Sequence, residues 1–109
     1  MDFKEIQKRV YLTAKNNGFH QIDGSSMSQR VCTMRKCEIL MLIVTECAEA
    51  CEAVRLNDDN KFQEDLADIV MRVMDTAELY GINLEEEIIK KNWFKINSER
   101  GYMHGGKAC

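Results

Sequence analysis

The feature that most restricts the fold of this chain is the absence of proline from all 109 residues. Proline interrupts helices, and aromatic residues, which favour strands, make up only 7% of the sequence. Apolar residues instead recur at spacings of three and four, as they do along one face of a helix. We therefore predict a single all-α domain over residues 1–109, a bundle of four to five helices.

The apolar spacings and capping residues divide the chain into segments. Helices are predicted over about residues 2–17, from 28 or 30 to 56, over 61–80 and over 83–97, with a loop at 19–26 and a glycine-rich basic tail at 98–109. The run Ile39–Val44 is apolar on every side, which predicts a central helix buried on most sides. Because so short a bundle covers its core only partly, we expect a homodimer or homotetramer.

Charge and cysteine content exclude several classes of protein. A formal net charge of −3 argues against a nucleic-acid partner, and no apolar run is long enough to span a membrane. We therefore expect a cytoplasmic protein without a membrane partner. The five cysteines form no C-x-x-C pair, so we expect reduced thiols. Cys47 and Cys51 lie one turn apart in an apolar segment, where we expect them to be buried.

The second helix carries two glutamates that interrupt its apolar stripe. Glu46 and Glu49 are three residues apart and therefore share one face of the helix. A carboxylate in such a position needs a cation, hydrogen bonds or access to solvent in a cleft. The alternative is an ordinary solvated acidic edge, as in a noncatalytic helical oligomeric interaction module.

The third helix repeats this spacing with Asp65 and Asp68. Its acidic face points away from the apolar residues Leu66, Val70, Val73 and Ala77. If that apolar face packs in the core, the two aspartates look outward and reach the glutamates only across a groove or with a second subunit. Two such carboxylate pairs suit Mg²⁺, or alternatively Mn²⁺, and pyrophosphate release from a nucleotide fits that chemistry.

The order Glu46-x-x-Glu49 and then Asp65-x-x-Asp68 resembles the E-x-x-E, E-x-x-D signature of the MazG-like all-α NTP pyrophosphohydrolases. Asp65 stands where the family usually has glutamate, which leaves open whether it or Glu64 is the third ligand. Residues 45–55 look like the family's first motif helix, and residues 88–92 and 100–107 look like its lysine-asparagine segment and basic tail. The resemblance covers about residues 38–107.

This resemblance implies hydrolysis of (deoxy)nucleoside triphosphates to the monophosphate and pyrophosphate by a metal-activated water. It implies a metal site at Glu46, Glu49, Asp65 and Asp68, in which the two glutamates are also the catalytic residues. The candidates for phosphate or sugar contacts are Lys91, Asn92, Arg100 and Lys107, and those for base contacts are His20, Phe19 and, less directly, Trp93. A phosphoribosyl-ATP pyrophosphatase is an alternative with the same motifs. The tail is either an arm that closes on phosphates or a solvated terminus.

Overall fold

The computed structural model describes residues 1–20 and 28–97, and the described residues form four α-helices and no strand. The helices are α1 (Phe3–Asn16), α2 (Gln29–Arg55), α3 (Asp59–Leu79) and α4 (Leu84–Asn97). The all-α prediction is therefore confirmed for this part of the chain. The predicted tail at 98–109 and most of the predicted loop lie outside the described residues.

Polar side chains fix where the helices begin. The Ser28 hydroxyl accepts a hydrogen bond from the backbone N–H of Val31 at 3.3 Å, as predicted for the start of α2. Asn83 likewise caps α4 by accepting from the N–H of Glu86 at 3.1 Å. The predicted start of α3 was two residues late, because Asp58 caps this helix by accepting from the N–H of Lys61.

Helix α3 is the central element, since both α1 and α2 pack against it. The buried apolar residues of the described chain are few and mostly small: Ile39, Ala50, Ala53, Met74 and Ala77. Three polar residues, Gln7, Asp65 and Asp75, are buried beside them. A core in which three of five apolar members are alanines provides little hydrophobic stabilisation for a chain of this length.

The prediction that α2 is buried on most sides is wrong for the single chain. Within the run 39–44, Ile39 is buried, but Leu40, Met41 and Val44 are 55%, 60% and 53% exposed. Cys47 and Cys51, which we expected to be buried, are also exposed. The reason is that α3 covers one side of α2, while the other side has no comparable partner among the described residues.

Helix α4 is the least covered element, because none of its residues is buried. Ile89, Trp93, Phe94 and Ile96 are between 60% and 66% exposed. The polar residues of α4 pair with one another instead, as Lys90 does with Glu86 and Glu87. None of the four described helices has a stretch long and apolar enough to cross a membrane.

Candidate metal and nucleotide site

One pocket collects acidic residues from two helices of the same chain. Glu46 and Glu49 reach it from α2, and Asp68 reaches it from α3. The remaining lining residues are Val10, Thr13, Ala14, Asn17, Phe19, Met71, Arg72 and Asp75. Three of the four predicted metal ligands therefore meet across a groove of the single chain. This is one of the two possibilities that the sequence pattern left open, the other being a contribution from a second subunit.

The orientation of α3 explains this arrangement. Asp65 is fully buried and Asp75 is 7% exposed, whereas Leu66 and Val70 on the predicted core face are 46% and 50% exposed. The helical pattern was interpreted as having one buried face, but α3 lies against both α1 and α2. Two residues of its acidic stripe, Asp65 and Asp75, are therefore buried, and Met74 and Ala77 enter the core in the C-terminal half of the helix.

Asp65, the fourth predicted ligand, does not line the pocket but lies buried close to it. Its Oδ1 accepts a hydrogen bond from the Lys61 ammonium group, one helical turn earlier. Its Oδ2 is buried and has no hydrogen-bond partner among the described residues. The neighbouring Glu64 is exposed. Of the two alternatives for a third ligand, Asp65 is thus the one that faces the interior.

Lys61 lies within the electrostatic field of the same carboxylates. Its hydrogen bond to Asp65 raises the pKa of Lys61 above the ordinary value, although desolvation opposes this shift. The negative charges of Asp65, Glu49 and Asp68 raise this pKa further. Lys61 is thus the hydrogen-bonded partner of one predicted ligand and lies within the electrostatic influence of two others.

The side chains as they stand do not form a closed coordination shell. Among the described residues, no three Asp, Glu, His or Cys side chains are close enough together to hold a metal ion. The donor set nevertheless fits a hard divalent cation, because it consists of carboxylates from one small region. The unpartnered Oδ2 of Asp65 supports this fit, since a buried carboxylate oxygen is strongly stabilised by a cation.

The pocket lining also contains an aromatic ring with a cation over its face. The guanidinium group of Arg72 lies over the Phe19 ring, 4.2 Å from its centroid, and Arg72 Nε is 3.4 Å from Glu46 Oε1. Arg72 therefore contacts both a carboxylate and the aromatic ring of the pocket lining. The sequence contained a signal for it, since Arg72 lies on the acidic face of α3, but gave no reason to assign it a role.

His20 is engaged within the protein. Its Nε2 lies 2.8 Å from Oδ1 of Asp75, its side chain is 8% exposed, and its ring stacks on Tyr11 at a centroid separation of 5.3 Å. Asp75 lines the pocket, so His20 supports the pocket wall from behind. A direct base contact by His20 stays a prediction. The sequence gave no indication of the pairing between residues 55 positions apart.

The two predicted phosphate contacts on α4 do not line the carboxylate pocket of the single chain. Lys91 and Asn92 line a separate depression on α4, together with Leu84, Glu87, Ile88 and Lys95. Trp93 is 65% exposed. Arg100 and Lys107 lie outside the described residues.

Comparison with known proteins shows the family to which the chain belongs. No curated protein and no solved structure matches the chain. The family model of the MazG nucleotide pyrophosphohydrolase domain matches residues 35–100, which is more than half of the 109 residues and includes all four predicted metal ligands. The chain therefore belongs to the MazG nucleotide pyrophosphohydrolase domain family.

Proposed function

We propose that this chain hydrolyses (deoxy)nucleoside triphosphates to nucleoside monophosphate and pyrophosphate, with Mg²⁺ or Mn²⁺ held by Glu46, Glu49, Asp65 and Asp68. The observation that carries the proposal is the meeting of Glu46, Glu49 and Asp68 in one pocket, next to a buried Asp65 with an unpartnered oxygen. The family match supports pyrophosphohydrolysis as the class of reaction.

The charge of the pocket explains why a divalent cation is needed. Glu46, Glu49, Asp68 and Asp75 line it, and Arg72 is the one lysine or arginine among the described residues that line it. A triphosphate is strongly anionic and would be repelled by such a surface. Divalent cations reverse this repulsion, because they bind the carboxylates and the phosphate oxygens together.

The protein's own groups would position the reacting atoms. Glu46 and Glu49 share one face of α2, and at least one carboxylate oxygen can accept the proton of the water that attacks between the α and β phosphates. When bound, Mg²⁺ would neutralise the phosphates and lower the pKa of that water. The water oxygen would bond to the α phosphorus as the bond from that phosphorus to the α–β bridging oxygen breaks, so that pyrophosphate leaves with the bridging oxygen.

The apolar part of the pocket lining suits the nucleobase. Val10, Ala14 and Phe19 provide apolar surface there, and Thr13 and Asn17 add groups capable of hydrogen bonding to a base or a sugar. The guanidinium of Arg72 already occupies one face of the Phe19 ring. A base would therefore stack on the other face of this ring or replace Arg72.

We also propose that the active form is a homodimer or homotetramer. In the single chain, apolar residues of α4 are exposed, and so are apolar residues on the outer side of α2. An isolated 14-residue helix is marginally stable in water, so α4 needs a packing partner. A second copy would cover these faces and would give Lys91 and Asn92 a route to a neighbouring pocket.

The decisive experiment is a screen of all ribo- and deoxynucleoside triphosphates and phosphoribosyl-ATP with Mg²⁺, in which pyrophosphate is resolved from phosphate. We expect pyrophosphate from at least one nucleoside triphosphate and none after Glu49→Gln. The matched control is Glu52→Gln, one turn further along α2, because Glu52 pairs with Arg55 and does not line the pocket.

Two outcomes would contradict the proposal in different ways. Release of pyrophosphate from phosphoribosyl-ATP alone would replace the substrate while keeping the reaction. A calorimetric titration without Mg²⁺ or Mn²⁺ binding, unchanged by Glu49→Gln, would favour the noncatalytic helical module instead.

A further inference from the structure

The Lys61 ammonium group is the charged partner of Asp65, one of the proposed metal ligands. Its Nζ donates to Oδ1 of Asp65, whose side chain is fully buried. Glu49 and Asp68, which line the pocket, are near enough for their charges to act on the same amine. The amine therefore contacts the buried carboxylate and lies in the electrostatic field of two carboxylates of the pocket.

The two partners of this ion pair differ in freedom. The Lys61 side chain is 47% exposed and belongs to the first turn of α3. Its ammonium group is carried by a flexible chain of four carbon atoms. The Asp65 side chain is 0% exposed. Lys61 can thus turn towards solvent without a change in the backbone, whereas the carboxylate stays in place.

A fully buried carboxylate requires a counter-ion. If the Lys61 side chain moved away from Asp65 in the metal-free protein, Asp65 would have no charged partner among the described residues. Such an unpaired buried charge is strongly unfavourable. A divalent cation bound to Asp65, Glu49 and Asp68 would supply that charge and would repel the ammonium group. Ammonium and metal therefore exclude each other.

We propose that Lys61 is a tethered counter-ion of the metal centre, which holds Asp65 in the metal-free protein and leaves when a divalent cation binds. This inference rests on the proposed metal site. It explains how the buried Asp65 carboxylate is neutralised when no metal ion is bound. It also predicts that the chain competes with the metal for its own site, which lowers the apparent affinity.

Calorimetric titration of Mg²⁺ alone into Lys61→Met tests this competition. We expect Mg²⁺ to bind Lys61→Met about three- to tenfold more tightly than the wild type. The reason is that a site available in only a fraction of the molecules has a lower apparent affinity, and the variant lacks the competing amine. The metal-free variant should melt at a lower temperature than the wild type, and Mg²⁺ should raise its melting temperature by more.

Lys90→Met is the matched control. Lys90 also forms an ion pair one helical turn away, with Glu86 on α4, and this hydrogen bond raises its pKa as Asp65 does for Lys61. Lys90 does not line the carboxylate pocket. We therefore expect unchanged Mg²⁺ affinity in this variant.

Chemical acetylation of the wild type, read by mass spectrometry, tests the movement without any variant that must fold. Mg²⁺ should increase the labelling of Lys61 and leave that of Lys90 unchanged. Mg²⁺ binding that leaves Lys61 equally or less reactive would overturn the proposal, as would unchanged or weaker Mg²⁺ binding by Lys61→Met. These results would leave the proposed function intact, whereas absence of Mg²⁺ binding by both proteins would overturn both.

Discussion

The carboxylate pocket and α4 distribute polar and apolar side chains in opposite ways. Around the pocket, Asp65 and Asp75 are buried with Lys61 and His20 as their respective partners. On α4, Trp93 and Phe94 are about two-thirds exposed, and no residue is buried. Buried charged groups are typical of functional sites, and large exposed apolar surfaces are typical of contacts with a partner. One region therefore points to catalysis and the other to assembly.

The largest effect should come from removing a pocket carboxylate. Asp68→Asn should lower kcat/KM for pyrophosphate release by at least about a hundredfold, since loss of even an outer partner of a metal ligand costs about 10- to 100-fold. The free energy of unfolding should stay equal or rise, because repulsion among the carboxylates decreases. Steady-state kinetics and urea denaturation measure the two effects.

Asp59→Asn is the matched control for this change, because Asp59 is exposed in the first turn of the same helix. Retained turnover in both Asp68→Asn and Glu46→Gln would refute the site.

The next largest effect should fall on assembly. Phe94→Ser removes a ring that is 66% exposed in the single chain and that we expect a second copy to bury. If Phe94 is a central contact, self-association should weaken by about thirtyfold, equivalent to about 2 kcal/mol. Sedimentation equilibrium measures this change, with Lys95→Ser as the control on the same helix. Equal self-association of the wild type, Phe94→Ser and Lys95→Ser would show that the interface does not include Phe94.

A smaller effect should separate the two roles considered for His20. His20→Ala leaves the buried Asp75 without its partner and should lower the free energy of unfolding by about 1.5 kcal/mol. His20→Gln, whose amide can still donate to Asp75, should recover part of this loss in urea denaturation. An increase in KM for the nucleotide in His20→Gln at unchanged stability would instead support the predicted base contact.

The smallest effect should come from Arg72→Lys, which keeps the charge but loses the planar group above Phe19. We expect the free energy of unfolding to fall by about 0.5–1 kcal/mol, the usual size of such a cation–π contact. Urea denaturation measures this change. Arg72→Lys combined with Phe19→Leu should then cost little more than Phe19→Leu alone. Additive losses would show that the two side chains act independently.

Local signals in the sequence were sufficient for the helices and for the members of the acidic pairs. Apolar patterns and capping residues predicted the four described helices, and Asn83 was identified as a cap because capping depends on neighbouring residues only. The start of α2 was predicted near Ser28 or Arg30, and Ser28 is its cap. The pairs Glu46 and Glu49, and Asp65 and Asp68, followed from their i, i+3 spacing. Their ligand roles stay predictions, as do those of Lys91, Asn92, Arg100, Lys107 and His20.

The tertiary structure decided which faces of these helices are covered, and it differed there from the sequence pattern. The periodicity of α3 indicates an apolar face, but two helices pack on α3, so Asp65 is buried and Leu66 is exposed. The pairings of His20 with Asp75 and of Arg72 with Phe19 join segments far apart in the chain. A sequence determines local conformation through near neighbours, whereas such contacts depend on how the helices pack. The carboxylate spacing was therefore readable in advance, and the enclosure of Asp65 beside Lys61 was not.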